Sequence, residues 1–309
     1  MSEGQVAGPI QLKLPATSAN LGPGFDALGL AMSFYLTIEA DLAASGLFSI
    51  AATGRDRELC GQIENNLILD TYMDVLAKAG KPVLPLKLSL HNEIPLGMGC
   101  GSSAAALLAG VLLANHFGGL NWTGYEAMEE ACRREGHPDN VAACWLGGMT
   151  ASAMTCVDGR TSVVAASCGQ DCEWGLMLAV PSVSLATEKA RALLPESYSR
   201  ADAVANVQNT ALLVAAFACG RADLLKTAMA DRMHQPYRAE ACPLLPLLLP
   251  LAGSSGVLGA ALSGAGPSVL LVVERERTAE AEAAVRALAP SIELIKVGTS
   301  KETQIRLLR

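Results

Sequence analysis

The chain has 309 residues, half of them hydrophobic (51%) and few aromatic (4%), and its formal net charge is −7. That length supports two domains and a large core. The acidic balance argues against nucleic acid as a partner, while small anionic ligands stay open because a local site can be basic where the whole is not.

The first twenty residues lack the basic and apolar regions of a secretory leader, so a cytoplasmic location is expected. The uncharged run 243–273 has the length of a membrane span, but Pro246, Pro250 and Pro267 break it, and no membrane partner is expected. The nine cysteines form no C-x-x-C pair and read as small buried hydrophobes in a reducing compartment.

In chain order, residues 11–14 read as a short strand and 15–29, PATSANLGPGFDALG, as a polar loop rich in glycine and proline. Strands are predicted at 33–41 and 47–52. Residues 66–79 carry Ile68, Tyr72, Val75, Leu76 and Ala79 at helical spacing, with Asn65 or Asn66 placed to cap that helix or to meet a purine edge. Residues 84–91 alternate Leu86, Leu88 and Leu90 as a half-buried strand.

That strand runs into the stretch around which the chain is organised, PLGMGCGSSAAALLAGVLLA at 95–114. Alternating Gly97, Gly99 and Gly101 let the backbone turn tightly and approach a ligand. The helix that follows presents unpartnered N–H groups and a partial positive charge. The pair makes an anion site, most naturally for phosphate. A Walker loop would need a lysine, and a dinucleotide fingerprint needs G-x-G-x-x-G; neither is present. Ser102 and Ser103 are placed to cap the helix, and one hydroxyl is placed to reach phosphate-bound Mg2+. The alternative is a glycine-rich turn before a buried helix.

Further helices are predicted at 123–134 and 141–146, separated by EGHPDN at 135–140, and strands at 149–156 and 162–166. Composition turns polar around 167–173, which sets the expected domains at 1–168 and 169–309. The second would hold strands at 176–181, 257–262, 269–274 and 292–297. Its helices would be 187–194, 200–218, 221–230, 244–251 and 278–288. SGAGPS, at 263–268, forms a second glycine turn between strands, which could brace the phosphate loop or be a tight turn only.

Four groups of residues offer chemistry. Asp26 could neutralise an ammonium and Asn20 could hydrogen-bond beside it, or the two could form an Asx turn. Glu135 is a candidate Mg2+ ligand. His137 is a general base, a hydrogen-bond donor or a structural histidine. Arg191 and Arg238 could grip a carboxylate or be solvated surface cations.

Together these motifs resemble the homoserine kinases, part of the superfamily that also holds galactokinase, mevalonate kinase and phosphomevalonate kinase. PATSANLGPGFDALGLA resembles the family's first motif, PLGMGCGSSAAA its phosphate loop, EGHPDNVAA with LGG the segment after it, and LSGAGPSV its third motif. The resemblance covers almost the whole chain. It implies an α+β, two-domain small-molecule kinase fold. The N-terminal domain would be an α/β domain like a ribosomal protein, with a left-handed crossover, and the C-terminal domain would be ferredoxin-like. It implies phosphoryl transfer from MgATP to L-homoserine in threonine biosynthesis, and a homodimer.

By the same resemblance, Asn20, Asp26 and Asn140 are catalytic, and with His137, Thr187, Arg191 and Arg238 they bind homoserine. Asn66, Pro95, Leu96, Gly97, Met98, Gly99, Cys100, Gly101, Ser102 and Ser103 bind ATP, and Ser103 (or Ser102) and Glu135 hold Mg2+. Asn140 stands where mevalonate kinase has an aspartate base, which implies direct attack with the proton passing to phosphate. Cys100, Arg133 and Ala143 depart from the family pattern at packing or flanking positions.

Overall fold

The computed structural model describes residues 7–158, 160–185 and 187–308. The chain opens on a long hairpin, β1 (Ile10–Asn20) and β2 (Gly24–Leu42), closed by Leu21, Gly22 and Pro23. Leu12, Leu14, Leu36 and Ile38 point one way into the core, as strand alternation requires. The register shifts between Pro15 and Ala16, a bulge at a residue that has no N–H to give.

The expected loop 15–29 is therefore mostly strand. Its residues are buried from Pro15 to Gly24, and the ladder satisfies a polar, glycine-rich backbone that would be costly to bury as loop.

β2 bends across two partners. Its outer part pairs with β4 (Leu86–Asn92), which pairs in parallel with β3 (Ser49–Gly54). Its start pairs with β5 (Met149–Val157), which continues to β6 (Arg160–Cys168). Between β3 and β4 lie α1 (Arg57–Cys60), which the sequence pattern does not announce, and α2 (Leu67–Lys78). α3 (Ser102–Gly118) is apolar all round and buried along its length. A Cβ on its Gly110 would press on the Ile68 carbonyl and the Thr71 side chain at 2.6 Å, so α2 and α3 lie backbone to backbone there. α4 (Gly124–Glu135) starts on a capping box between Thr123 and Glu126. A left-handed turn at Gly136 leads to α5 (Asp139–Leu146), which begins at Asp139 rather than Val141.

The second sheet orders its strands β10-β7-β9-β8, all antiparallel: β7 (Gly175–Val180), β8 (Val257–Leu262), β9 (Val269–Val273) and β10 (Glu293–Val297). With α6 (Thr187–Ala192) and α7 (Arg200–Cys219) after β7, and α11 (Thr278–Leu288) after β9, the path is the βαββαβ of a ferredoxin-like domain. α7 has the length and hydropathy of a membrane span, and its Leu213, Ala216 and Phe217 are buried in the core.

Between α7 and β8 the expected helix 221–230 shrinks to α8 (Leu225–Ala228), preceded by a 3-10 turn. α9 (Gln235–Arg238), which was not expected, is started by Pro236. α10 (Leu244–Leu248) and a 3-10 turn at Leu249–Leu251 accommodate the prolines.

The chain does not end with the second sheet. β11 (Gln304–Leu307) returns to pair antiparallel with β1 in the first, so the last residues of the span expected as the C-terminal domain lie on the N-terminal sheet.

Candidate active site

The glycine loop adopts left-handed backbone at Gly97, Gly99 and Gly101, with φ of 69°, 76° and 70°. Space demands glycine as well: a Cβ on Gly99 would meet the Ser263 carbonyl, and one on Gly101 the Thr17 hydroxyl. The loop is tied down by Thr17 N–H donating to the Cys100 carbonyl at 3.0 Å and Ser263 Oγ donating to the Gly99 carbonyl at 2.7 Å. The N-cap of α3 is Gly101, with no side-chain cap, which corrects the expectation that the serines cap it. They stand inside the first turn, too late to cap, and Ser103 Oγ instead donates to Glu135 Oε2 at 2.9 Å. The first N–H groups of α3 are left to a ligand.

A cavity of about 480 Å³ opens in front of the loop. Its lining divides by chemistry. Leu59, Leu67, Leu90 and Ile94, with Asn65 and Asn66, form an apolar part edged by amides. Asp26, Glu135, His137, Arg191 and Arg238 form a charged part, and Leu96, Gly97, Gly99, Cys100, Gly101, Ser102 and Ser103 line it from the loop. Pro95 and Met98 are not in the lining; Pro95 is buried and Met98 packs against the core. Asn66 faces the cavity, but its amide is already engaged. Oδ1 caps α2 at the N–H groups of Ile68 and Leu69, and Nδ2 donates to the Gln62 and Cys60 carbonyls.

Flanking the hairpin turn, Asn20 at the end of β1 and Asp26 near the start of β2 take left-handed backbone, φ 70° and 54°. Asn20 is buried and used at both ends: Nδ2 donates to the Gly264 carbonyl at 2.9 Å, and Oδ1 accepts the Asp26 N–H at 3.0 Å. It thus welds the first motif to the third. The Asp26 carboxylate takes a forked pair of bonds from Arg191 on α6, at 3.0 and 2.6 Å. Thr187 opens α6, and its side chain lies outside the described residues.

Arg238 is 1% exposed, which excludes the solvated reading. It donates to the carbonyls of Ala190 (3.1 Å) and Gly264 (3.4 Å) and to His234 Nδ1 (3.1 Å), over the Phe25 ring. Burial, then the nearby Arg191 cation, draws its pKa down from the usual arginine value. His234 donates Nε2–H to the Gly22 carbonyl at 2.7 Å and is neutral because its Nδ1 accepts from Arg238, and burial pulls its pKa down.

The Gly136 turn places Glu135, His137 and Asn140 on one side. Burial raises the Glu135 pKa, only partly offset by His137 and by the Ser103 hydrogen bond. Burial alone would lower that of His137. Its 2.6 Å bond to Asp139, together with the charges of Asp139, Glu135 and Asp26, outweighs burial and raises it. Asn140 Oδ1 accepts from Thr17 Oγ1 at 2.7 Å. Ser263 bears out SGAGPS as a brace of the phosphate loop, while Thr17, Asp139 and His234 are the site residues that sequence reasoning missed. Only their places inside PATSAN, HPDN and HQPYR signal them.

Models of the GHMP kinases N terminal domain and GHMP kinases C terminal match residues 66–148 and 212–290. A homoserine kinase of Solibacter usitatus is 49% identical over 85% of this chain and 85% of its own. One of Desulfitobacterium hafniense is 40% identical over 89% and 91%. The crystal structure of homoserine kinase from Cytophaga hutchinsonii superposes with a TM-score of 0.80 at 26% identity, covering 99% of this chain and 100% of the other. The L. major mevalonate kinase shares the fold at TM-score 0.69 and 16% identity, over 97% of each chain. The shared two-domain fold, the glycine loop and these identities agree: the chain belongs to the GHMP kinase family, and within it to the homoserine kinases.

Proposed function

We propose that the chain transfers the γ-phosphate of ATP to the side-chain hydroxyl of L-homoserine, releasing ADP and O-phospho-L-homoserine. The observation that carries this reading is the Asp26–Arg191 pair beside the glycine loop. An α-amino acid brings an ammonium and a carboxylate one carbon apart, and an adjacent anion and cation are their complement. Asp26 takes the ammonium, and Arg191 and Arg238 take the carboxylate. Asn20 holds the backbone that aims Asp26.

The triphosphate lies against the glycine loop and the start of α3. Ser103 and Glu135 are the residues that would hold Mg2+. They present two hard oxygens side by side, and the Glu135 carboxyl, strained toward its neutral form by burial, is suited to a cation. When bound, Mg2+ supplies charge neutralisation for the phosphates.

The hydroxyl oxygen forms its bond to the γ-phosphorus, the bridging bond to the β-phosphate breaks, and the hydroxyl proton passes to a phosphoryl oxygen. No side chain is needed as base. Asn140 is an amide and takes up no proton usefully, and His137 Nδ1 is engaged with Asp139 at 2.6 Å.

The test is ADP release with L-homoserine, L-threonine and mevalonate as acceptors. Homoserine is expected to be preferred over threonine at least about ten-fold in kcat/KM, because threonine's hydroxyl is one carbon closer and falls out of line. Equal use of threonine removes the homoserine assignment and leaves the kinase.

A further inference from the structure

Thr17 is a fully buried residue of β1 to which the phosphoryl-transfer reading assigns no part. Its N–H holds the Cys100 carbonyl of the glycine loop, and its hydroxyl donates to Asn140 Oδ1 at 2.7 Å. A Cβ on Gly101 would collide with that hydroxyl and come within 3.2 Å of Asn140 Oδ1. Three segments therefore meet at one point: the middle of β1, the last glycine of the loop and the first turn of α5.

The direction of the Asn140 amide is settled by its other neighbour. Asp139 Oδ1 lies 3.4 Å from Asn140 Nδ2, and it also accepts the Asn140 N–H at 2.7 Å and His137 Nδ1 at 2.6 Å. A carboxylate only accepts, so the NH2 end of the amide must face it. Turned round, the amide would set oxygen against oxygen. Oδ1 is left toward Thr17, whose hydroxyl must then donate. Nδ2 keeps a second N–H, and Asn140 lines the cavity beside Gly101.

We propose that Thr17 is a positioning residue of the phosphoryl transfer: by holding Asn140 Oδ1 it fixes the amide with an N–H toward the transferred phosphoryl group. Asn140 then acts as a donor and not as a proton acceptor. Negative charge on the phosphoryl oxygens must be met during transfer, and a donor already aimed there needs no reorganisation. The role rests on the homoserine kinase reading, and the effect falls on kcat.

Homoserine-dependent ADP release by the wild type checks that reading first; its absence overturns the reading and this role together. Given that activity, Thr17→Val, equal in size and without the hydroxyl, is expected to lower kcat about ten-fold and leave both KM values within about two-fold. Thr17→Ser is expected to restore kcat to within about three-fold of wild type. Asn140→Asp, equally isosteric but unable to donate, is expected to lose about a hundred-fold or more in kcat. The proposal is overturned by a Thr17→Val kcat equal to wild type, by a loss confined to KM, or by a serine variant as impaired as the valine one. If the valine variant does not fold, as thermal unfolding would show, Asn140→Asp decides: near-full activity there makes the amide an acceptor and overturns the proposal.

Discussion

Asp26 and Arg191 are each about a third exposed (34% and 38% for the side chains), so their mutual bond is worth little, on the order of 1 kcal/mol or less. Substrate can exchange it for two better-matched partners at small loss. Arg191→Leu removes the cation that meets the carboxylate, while Gly97 to Ser103 and Glu135 remain for the nucleotide. Losing one charge-assisted partner costs about 1.5–3 kcal/mol, so kcat/KM for homoserine should fall roughly 10- to 150-fold. The KM for ATP should stay close to the wild-type value, and a steady-state series in both substrates measures each. Equal damage to both would move Arg191 to the phosphates.

His137 carries a pH dependence whose sign follows from its raised pKa. A histidine held more tightly as the cation in the folded state adds stability that is complete below its unfolded pKa. That stability is lost as pH rises through its folded pKa. Urea unfolding across that window should show the wild type losing stability as pH rises. His137→Gln should flatten that step while keeping much of its kcat. A variant with an unchanged slope would place the titration elsewhere.

The elements divide by how locally they are determined. α2, α4, α7 and α11 were legible because each carries an apolar face or a cap in or next to its own residues, such as Thr123 with Glu126 or Ser199 on Asp202, and α3 was legible as a long uncharged run after the glycines. β4 was legible from alternation alone. The stretch PATSANLGPGFDALG was not. Its residues have turn chemistry, and they became strand because β1, β2 and β5 cover one another's backbone from far along the chain. β11 was invisible for the same reason: its four residues are all exposed, and only β1 gives it a partner.

At the site, the glycine loop and the clusters at 20–26 and 135–140 were readable as motifs. Their partnerships were not. No spacing rule pairs Asp26 with Arg191, 165 positions apart, or Thr17 with Asn140, 123 apart. The solvated reading of Arg238, open on the sequence, is excluded by burial, since four-residue α9 turns it inward onto the Gly264 and Ala190 carbonyls.

The two sheets meet at the site through bonds that belong to neither. Asn20 holds Gly264, and Ser263 Oγ lies 2.8 Å from Ser18 Oγ. His234 holds Gly22, while Asn206 and Thr210 on α7 both donate to the Pro23 carbonyl. Arg55, just past β3, pairs with Glu293 on β10, and β11 carries the chain back to β1. Most of these are buried and hydrogen-bonded, so pulling the halves apart would exchange them for bonds to water, at about 0.5–1.5 kcal/mol each, and bare the apolar surface beside them. The sum is comparable with ordinary domain stabilities of about 5–15 kcal/mol, so neither half stands well on its own. The protein should therefore unfold as one unit. Denaturant titrations followed by Trp174 fluorescence, with Trp122 and Trp145 replaced by phenylalanine, and by Trp122 and Trp145 fluorescence, with Trp174 replaced, should coincide, although Trp174 sits just ahead of β7 in the second half and the other two lie in the first. ATP with homoserine, each at about a hundred times its dissociation constant, should raise stability by about 2.7 kcal/mol per ligand. Hydrogen exchange should slow by the same factor in β1 and β2 as in β7 and β9, since both sheets open together. Two separate transitions, with ligand delaying only one, would mean that the halves fold independently and that the site is assembled by substrate instead of awaiting it.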